Sequence, residues 1–184
     1  REPLRKYFRN KKLSFTVNTS PTAETGKPTM RNDIPKEYFI DLNQADWYPY
    51  NENYGSSEEK FLVKYFHNNL EDLKEKFKDI YLLRNERFFK LYRFSDGKAT
   101  EPDFVLYMSD KFSDKEIIYQ LIIEPKGGHL LMQDEWKEQF LKEIETENII
   151  EMYQNQEYRL IGMPFYNKIH REEIFETKLN TINL

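Results

Sequence analysis

Two apolar runs, DFVLYM from Asp103 and YQLIIEP from Tyr119, flank the polar segment SDKFSDKE, and this pairing limits the fold more than any other feature of the chain. Runs this short, rich in aromatic and β-branched residues and separated by a charged loop, predict an antiparallel hairpin. Folding the hairpin near its midpoint puts Asp103 opposite the Ile122–Glu124 end of its partner, within roughly two residues of register. The second strand then ends in Glu124-Pro125-Lys126 followed by Gly127 and Gly128. Residues i and i+2 of a strand project to the same face, so Glu124 and Lys126 form one device.

The remaining pattern supplies the frame. SSEEKFLVKYFHNNLEDLKEKF opens with a capping-box sequence, Ser56 and Glu59, and Leu62, Phe66, Leu70, Leu73 and Phe77 make one stripe of a single long amphipathic helix. DIYLLR and FFKLYRF read as short strands, with a turn at Ser95-Asp96-Gly97. QDEWKEQFLKEIE returns to helical period, which places Trp136, Phe140 and Ile144 on one core-facing stripe. EYRLIGMPF is a strand, and HREEIFETKLNTINL is a short helix or an edge strand. Ahead of these elements, YFIDLN (Tyr38–Asn43) alternates as a strand and WYPYNENYGSS breaks regular structure. The order helix, several strands, helix, strand predicts an α/β fold, a mixed sheet flanked by helices. Residues 1–50 are expected to be a linker or extension and residues 51–184 a single domain.

Composition narrows the setting. An aromatic share of 16% argues for a folded chain even though charged residues reach 33%. Cysteine is absent, which excludes disulfides and thiolate metal sites and suggests a reducing, cytoplasmic compartment. With three histidines a His-rich zinc site is not expected. No run approaches the roughly 18 apolar residues of a membrane span, so no membrane partner is expected. The net charge of -4 and pI near 5.6 argue against a general polyanion-coating protein. Work on nucleic acid would need metal ions or partner domains to offset that charge. The chain starts at Arg1 without a start signal and reads as a piece of something larger.

The hairpin ends carry the chemistry. Two clustered carboxylates, Asp103 and Glu124, raise one another's pKa unless a cation lies between them. Oxygen ligands select a hard cation, Mg²⁺ or Mn²⁺. Pro125 gives up an N–H but keeps a carbonyl that can face an ion where strands splay. Lys126 beside a metal-bound water would orient the nucleophile and offset charge on a phosphate, and Gly127 and Gly128 admit a substrate close to the backbone. Taken singly, a Pro-Asp is a turn and a Glu-x-Lys is a solvated pair contributing under about 1 kcal/mol. Taken in order at facing hairpin ends, they form a reaction centre. Asp134-Glu135 follows an apolar run as a helicase box would, yet no GxxxxGK[ST] accompanies it, so it reads as the acidic first turn of a helix. His129 is either a phosphate or water contact or a structural residue. Lys137 is either a phosphate contact or part of a solvated helix face. Trp136 reads as core.

Pro102-Asp103 followed by Glu124-Pro125-Lys126 resembles the PD-(D/E)xK nuclease superfamily. More specifically, SSEEKFLVKYF, LYRFSDGKATEPDFVLYM and IIEPKGGHLLMQDEWKEQFLKEI look like the C-terminal endonuclease domain of the restriction subunit of Type III restriction-modification enzymes, over roughly Ser56 to Phe165. The resemblance implies a restriction-endonuclease-like αβββαβ core. It implies Mg²⁺-dependent hydrolysis of double-stranded DNA, with Asp103, Glu124 and Lys126 catalytic and Mg²⁺ held by Asp103, Glu124 and the Pro125 carbonyl. An acidic residue of the first helix often completes such sites; Glu59 is the candidate with Glu58 behind it, and Glu59 serves equally well as capping-box partner of Ser56. His129 is a supporting candidate. ATP would act only through an upstream helicase or translocase domain of the same subunit, and a modification methyltransferase subunit would be the partner. The alternatives are a DNA repair nuclease or Holliday-junction resolvase on the same fold, and an inactive nuclease fold kept for docking or DNA contact.

Overall fold

The structure, a computed structural model, describes residues 37–42, 44–50, 53, 55–85, 90–93, 96–146, 150–153 and 156–182. Ser56 caps helix α1 (Ser57–Asn68), its hydroxyl accepting from the Glu59 N–H while the Glu59 carboxylate accepts from the Ser56 N–H. The predicted long helix stops at Asn69, whose backbone and side-chain N–H groups both bond the Tyr65 carbonyl. A second, short helix α2 (Leu70–Lys76) follows, and Phe77 opens strand β1 (Phe77–Arg84) instead of closing the helical stripe. The single stripe is thus divided between two helices and a strand, because Asn competes with the helix for its own backbone carbonyls.

Strands β2 (Leu91–Tyr92) and β3 (Ala99–Thr100) form a separate two-stranded ribbon, whose turn uses Gly97 at φ +70. Ser95 of the predicted turn, and most of FFKLYRF beyond the β2 pair, lie outside the described residues. Strands β4 (Phe104–Asp110) and β5 (Glu116–Ile123) are the predicted hairpin, with Phe104 facing Ile123 and Ser109 facing Ile118. Helix α3 (Glu135–Thr146) leads through β6 (Ile150–Tyr153) to β7 (Gln156–Gly162), and helix α4 (Glu172–Asn180) closes the chain. HREEIFETKLNTINL therefore resolves as a helix.

The sheet order is β1-β4-β5-β7-β6, antiparallel except for the β5–β7 pair. Strand β6 was not expected; it lies at the edge and pairs antiparallel with β7. A bulge at Asp79, which has φ 52, bends β1 against β4. The architecture is mixed α/β, with helices on both faces of a mixed sheet. Phe104, Leu106, Met108, Tyr119, Leu121 and Ile123 face one side and join Leu62, Phe66, Phe175 and Leu179 of α1 and α4. Val105 and Ile122 face the other and join Phe140, Leu141 and Ile144 of α3. Central strands buried on both faces explain why DFVLYM and YQLII are nearly continuous apolar runs.

Two expectations for the early chain change. Residues 38–42 form no strand, and Asn43 is not described. Yet Leu42, Trp47, Tyr48 and Tyr50 are buried in the larger core, and Leu82 N–H donates to the Trp47 carbonyl at 2.8 Å. The core thus reaches back past the expected boundary at residue 50, held by aromatic burial rather than by strand pairing. Among the described residues no helix is long and apolar enough to cross a membrane.

Gly162 permits the close approach of α3 to β7: a Cβ there would stand 2.0 Å from the Leu141 carbonyl oxygen. Backbone cannot yield as a flexible side chain does, so Gly162→Ala is expected to cost about 3 kcal/mol of unfolding free energy, measured by urea denaturation.

Candidate active site

The β4–β5 ladder ends where both strands turn to proline. Extending the register by one step sets Asp103 beside Glu124 and by a second step Pro102 beside Pro125, and neither proline has an N–H to donate. Glu124 takes over: its Oε2 accepts the Asp103 N–H at 3.1 Å. The Asp103 carbonyl accepts from Asn85 N–H at 2.8 Å, so the end of β1 holds Asp103 from the other side. Beyond β5 the chain stays tied to the segment after β7, with Tyr166 N–H donating to the Glu124 carbonyl and Lys126 N–H donating to the Tyr166 carbonyl. These bonds leave the Pro125 carbonyl with no backbone donor among the described residues.

Glu124 is 3% exposed, which rules out the solvated-pair reading. Lys126 Nζ lies 2.8 Å from Glu124 Oε1 and 2.9 Å from Asp134 Oδ2. Lys137 Nζ lies 3.5 Å from the same Glu124 oxygen and 3.4 Å from Asp134 Oδ2. Glu124 and Lys126 do share a face, as strand geometry requires, and Asp103 lies across the hairpin where the register puts it.

Asp134-Glu135 does open a helix, as read from the sequence, but the meeting of Asp134 and Lys137 with Lys126 was missed, Lys137 having no firmer role than phosphate contact or solvated face. The 3₁₀ turn Gly128–Leu130, with Leu130 N–H donating to the Gly127 carbonyl and Asp134 N–H to the Leu130 carbonyl, folds the chain back so that Asp134 meets Lys126. The i,i+3 spacing of Asp134 and Lys137 at the entrance of a helix was the available signal. Trp136 is also corrected: it is half-buried rather than core, with the Lys98 and Lys137 ammoniums 5.6 and 5.9 Å from its ring centre.

Glu59 performs its capping role and more. Beside the bond to Ser56, its Oε1 accepts from Arg84 Nη1 at 2.7 Å, and Arg84 stacks 4.7 Å over the Phe104 ring. Its charge still reaches Asp103, so it borders the site while being held by two other partners. Glu58 points elsewhere and accepts the Lys168 N–H at 3.0 Å. His129 is exposed, its ring beside Gly127, and makes no hydrogen bond to another described residue.

Electrostatics single out Asp103. Burial, then the charges of Glu124 and Glu59, push its carboxyl up to about 8, against the opposing pull of Lys126 and Arg84. Burial disfavours the Lys126 ammonium, yet Glu124 and Asp134 outweigh it and keep the lysine charged. Burial likewise opposes ionisation of Asp134, and its bonds to Lys126 and Lys137 prevail, holding it below the usual carboxylate range. A carboxyl pushed up by burial and by acidic neighbours is one that a divalent cation would bring back down. Two carboxylates and a carbonyl without a backbone donor suit a hard ion that keeps several waters. No group of three or more histidine, aspartate or glutamate side chains is arranged as a metal cage among the described residues. The donor set therefore fits a two-carboxylate site and not an all-protein cage.

A mixed α/β domain with a buried carboxylate–lysine centre at a splayed hairpin is thus the class of protein that fold and site define. Residues 6–179 match a family described as a C-terminal domain, HI_1054_C, and the chain belongs to that family. A Haemophilus influenzae protein described as uncharacterized is 41% identical over 132 residues, which cover 67% of this chain and 28% of that relative. The chain thus spans well under two thirds of the relative's length. No solved structure matches.

The Asp103 shift sets a pH dependence for the metal-free protein. Between its ordinary value of 3.8 and about 8, the folded state keeps a proton that the unfolded state has lost, so this group's contribution to stability falls as pH rises through that window. Asp103→Asn should remove the slope. Denaturant midpoints of wild type and variant should converge near pH 4, with the variant more stable by pH 8.

Proposed function

We propose that this chain is a Mg²⁺-dependent DNA endonuclease domain, part of the restriction subunit of a Type III restriction enzyme. The observation that carries the reading is the meeting of Asp103, Glu124 and Lys126 at one buried hairpin end, with Glu124 bonded both to the Asp103 N–H and to the Lys126 ammonium. The order α1, β1, β4, β5, α3, β7 also follows the αβββαβ plan of restriction-endonuclease-like cores, with the last of these strands parallel to β5. An upstream ATP-driven motor and a methyltransferase subunit would supply most of the grip on DNA, in keeping with a net charge of -4.

Asp103, Glu124 and the Pro125 carbonyl would hold the ion. Such an ion, when bound, polarises a phosphate oxygen and lowers the pKa of a coordinated water. Lys126, fixed by Glu124 on one side and Asp134 on the other, would orient the attacking water and offset negative charge growing on the phosphate. The water oxygen bonds to phosphorus, the bond to the 3′ oxygen breaks, and that oxygen takes a proton. The products are a 5′-phosphate and a 3′-hydroxyl.

One observation favours a second reading, an inactive nuclease fold kept for docking or DNA contact. Glu124 Oε1 already lies within ion-pair distance of two ammoniums, an arrangement that needs no ion. Calorimetric titration with Mg²⁺ or Mn²⁺ separates the two. The nuclease reading expects one binding event that disappears in Asp103→Ala, releases a proton near neutral pH and tightens as pH approaches about 8. In the complete protein, Asp103→Ala and Lys126→Ala should each abolish metal-dependent DNA cutting while ATP hydrolysis stays near wild type. Normal cutting by either variant would falsify the assignment.

A further inference from the structure

Lys126 and Lys137 each lie within ion-pair distance of both Glu124 and Asp134, while Glu59 and Arg84 pair with each other alongside.

The two lysines are not equivalent. Lys126 is the inner one, its side chain 12% exposed and its bond to Glu124 short at 2.8 Å. Lys137 is the outer one, 24% exposed, and its distances of 3.5 and 3.4 Å to Glu124 and Asp134 exceed good hydrogen-bond lengths. A loosely held ammonium on the open side is the one an incoming anion can take. Asp134 touches both lysines and reaches the site only because the Gly127–Leu130 turn returns the chain there.

We infer that Lys137 is a second cationic residue of the reaction centre, contacting a non-bridging oxygen of the scissile phosphate, and that Asp134 is the positioning residue that draws both lysines away from Glu124. The inference rests on the nuclease reading above. In the metal-free state Lys126 and Lys137 neutralise Glu124. When the carboxylate turns to an ion, Asp134 retains Lys126 beside the water, and Lys137 is free to meet the phosphate.

Opposite signs in two variants test this. Lys137→Met removes a competitor for the Glu124 oxygen, so Mn²⁺ should bind the complete protein about fivefold more tightly by calorimetry while the cutting rate drops by about 10²-fold or more. Asp134→Asn leaves both lysines to Glu124, so Mn²⁺ binding should weaken by a similar factor. Structural damage would weaken metal binding in both variants, and that result overturns the inference. So does wild-type cutting by Lys137→Met when Asp103→Ala is inactive, which leaves the nuclease reading intact. If Asp103→Ala cuts normally, the nuclease reading itself falls.

Discussion

The fold and the site both depend on how the Glu124 carboxyl group is accommodated inside the protein. Taking a carboxylate out of water costs several kcal/mol, and only well-formed hydrogen bonds and opposite charges offset it. Glu124 obtains the Asp103 N–H on one oxygen and two ammoniums on the other. Its main-chain carbonyl meanwhile accepts the Tyr166 N–H, so the same residue joins β4, β5 and the segment after β7. Removing any one of these partners leaves a buried charge short of compensation.

The prolines make this arrangement possible. Beyond Phe104 and Ile123 neither Pro102 nor Pro125 has an N–H to donate, and a side-chain oxygen of Glu124 accepts the Asp103 N–H instead. A sheet that continued regularly would have filled the same space with hydrogen-bonded backbone and left no room for a cluster of charges. The core around it resists relaxation. β4 and β5 are packed on both faces, Phe165 contributes to the α3 side, and Tyr166 to the other. The charged groups are therefore held by elements that have little freedom to move apart.

Rigidity has an electrostatic consequence. Asp103 cannot retreat from Glu124, so burial and the neighbouring carboxylate charge together push its carboxyl up to about 8. The same logic separates Glu59 from the pair. Its capping bond and its bond to Arg84 satisfy it locally, so it contributes a field and no free ligand.

By itself the amino-acid sequence determined what depends on local periodicity. The β4–β5 register, the shared face of Glu124 and Lys126, the capping box at Ser56 and the helical start at Glu135 all follow from repeats of two or about four residues, which neighbouring bonds enforce. It misjudged what depends on distant partners. Asn69 ended a helix that hydrophobic spacing would have continued, because its side chain found the Tyr65 carbonyl. Trp47, Tyr48 and Tyr50 joined the core without regular structure, and the edge strand β6 formed because β7 offered it a partner. Only the tertiary structure decided that the Asp134–Lys137 pair belongs beside Lys126, since helical spacing joins those two charges and only the turn that folds the chain back brings them to the strand end.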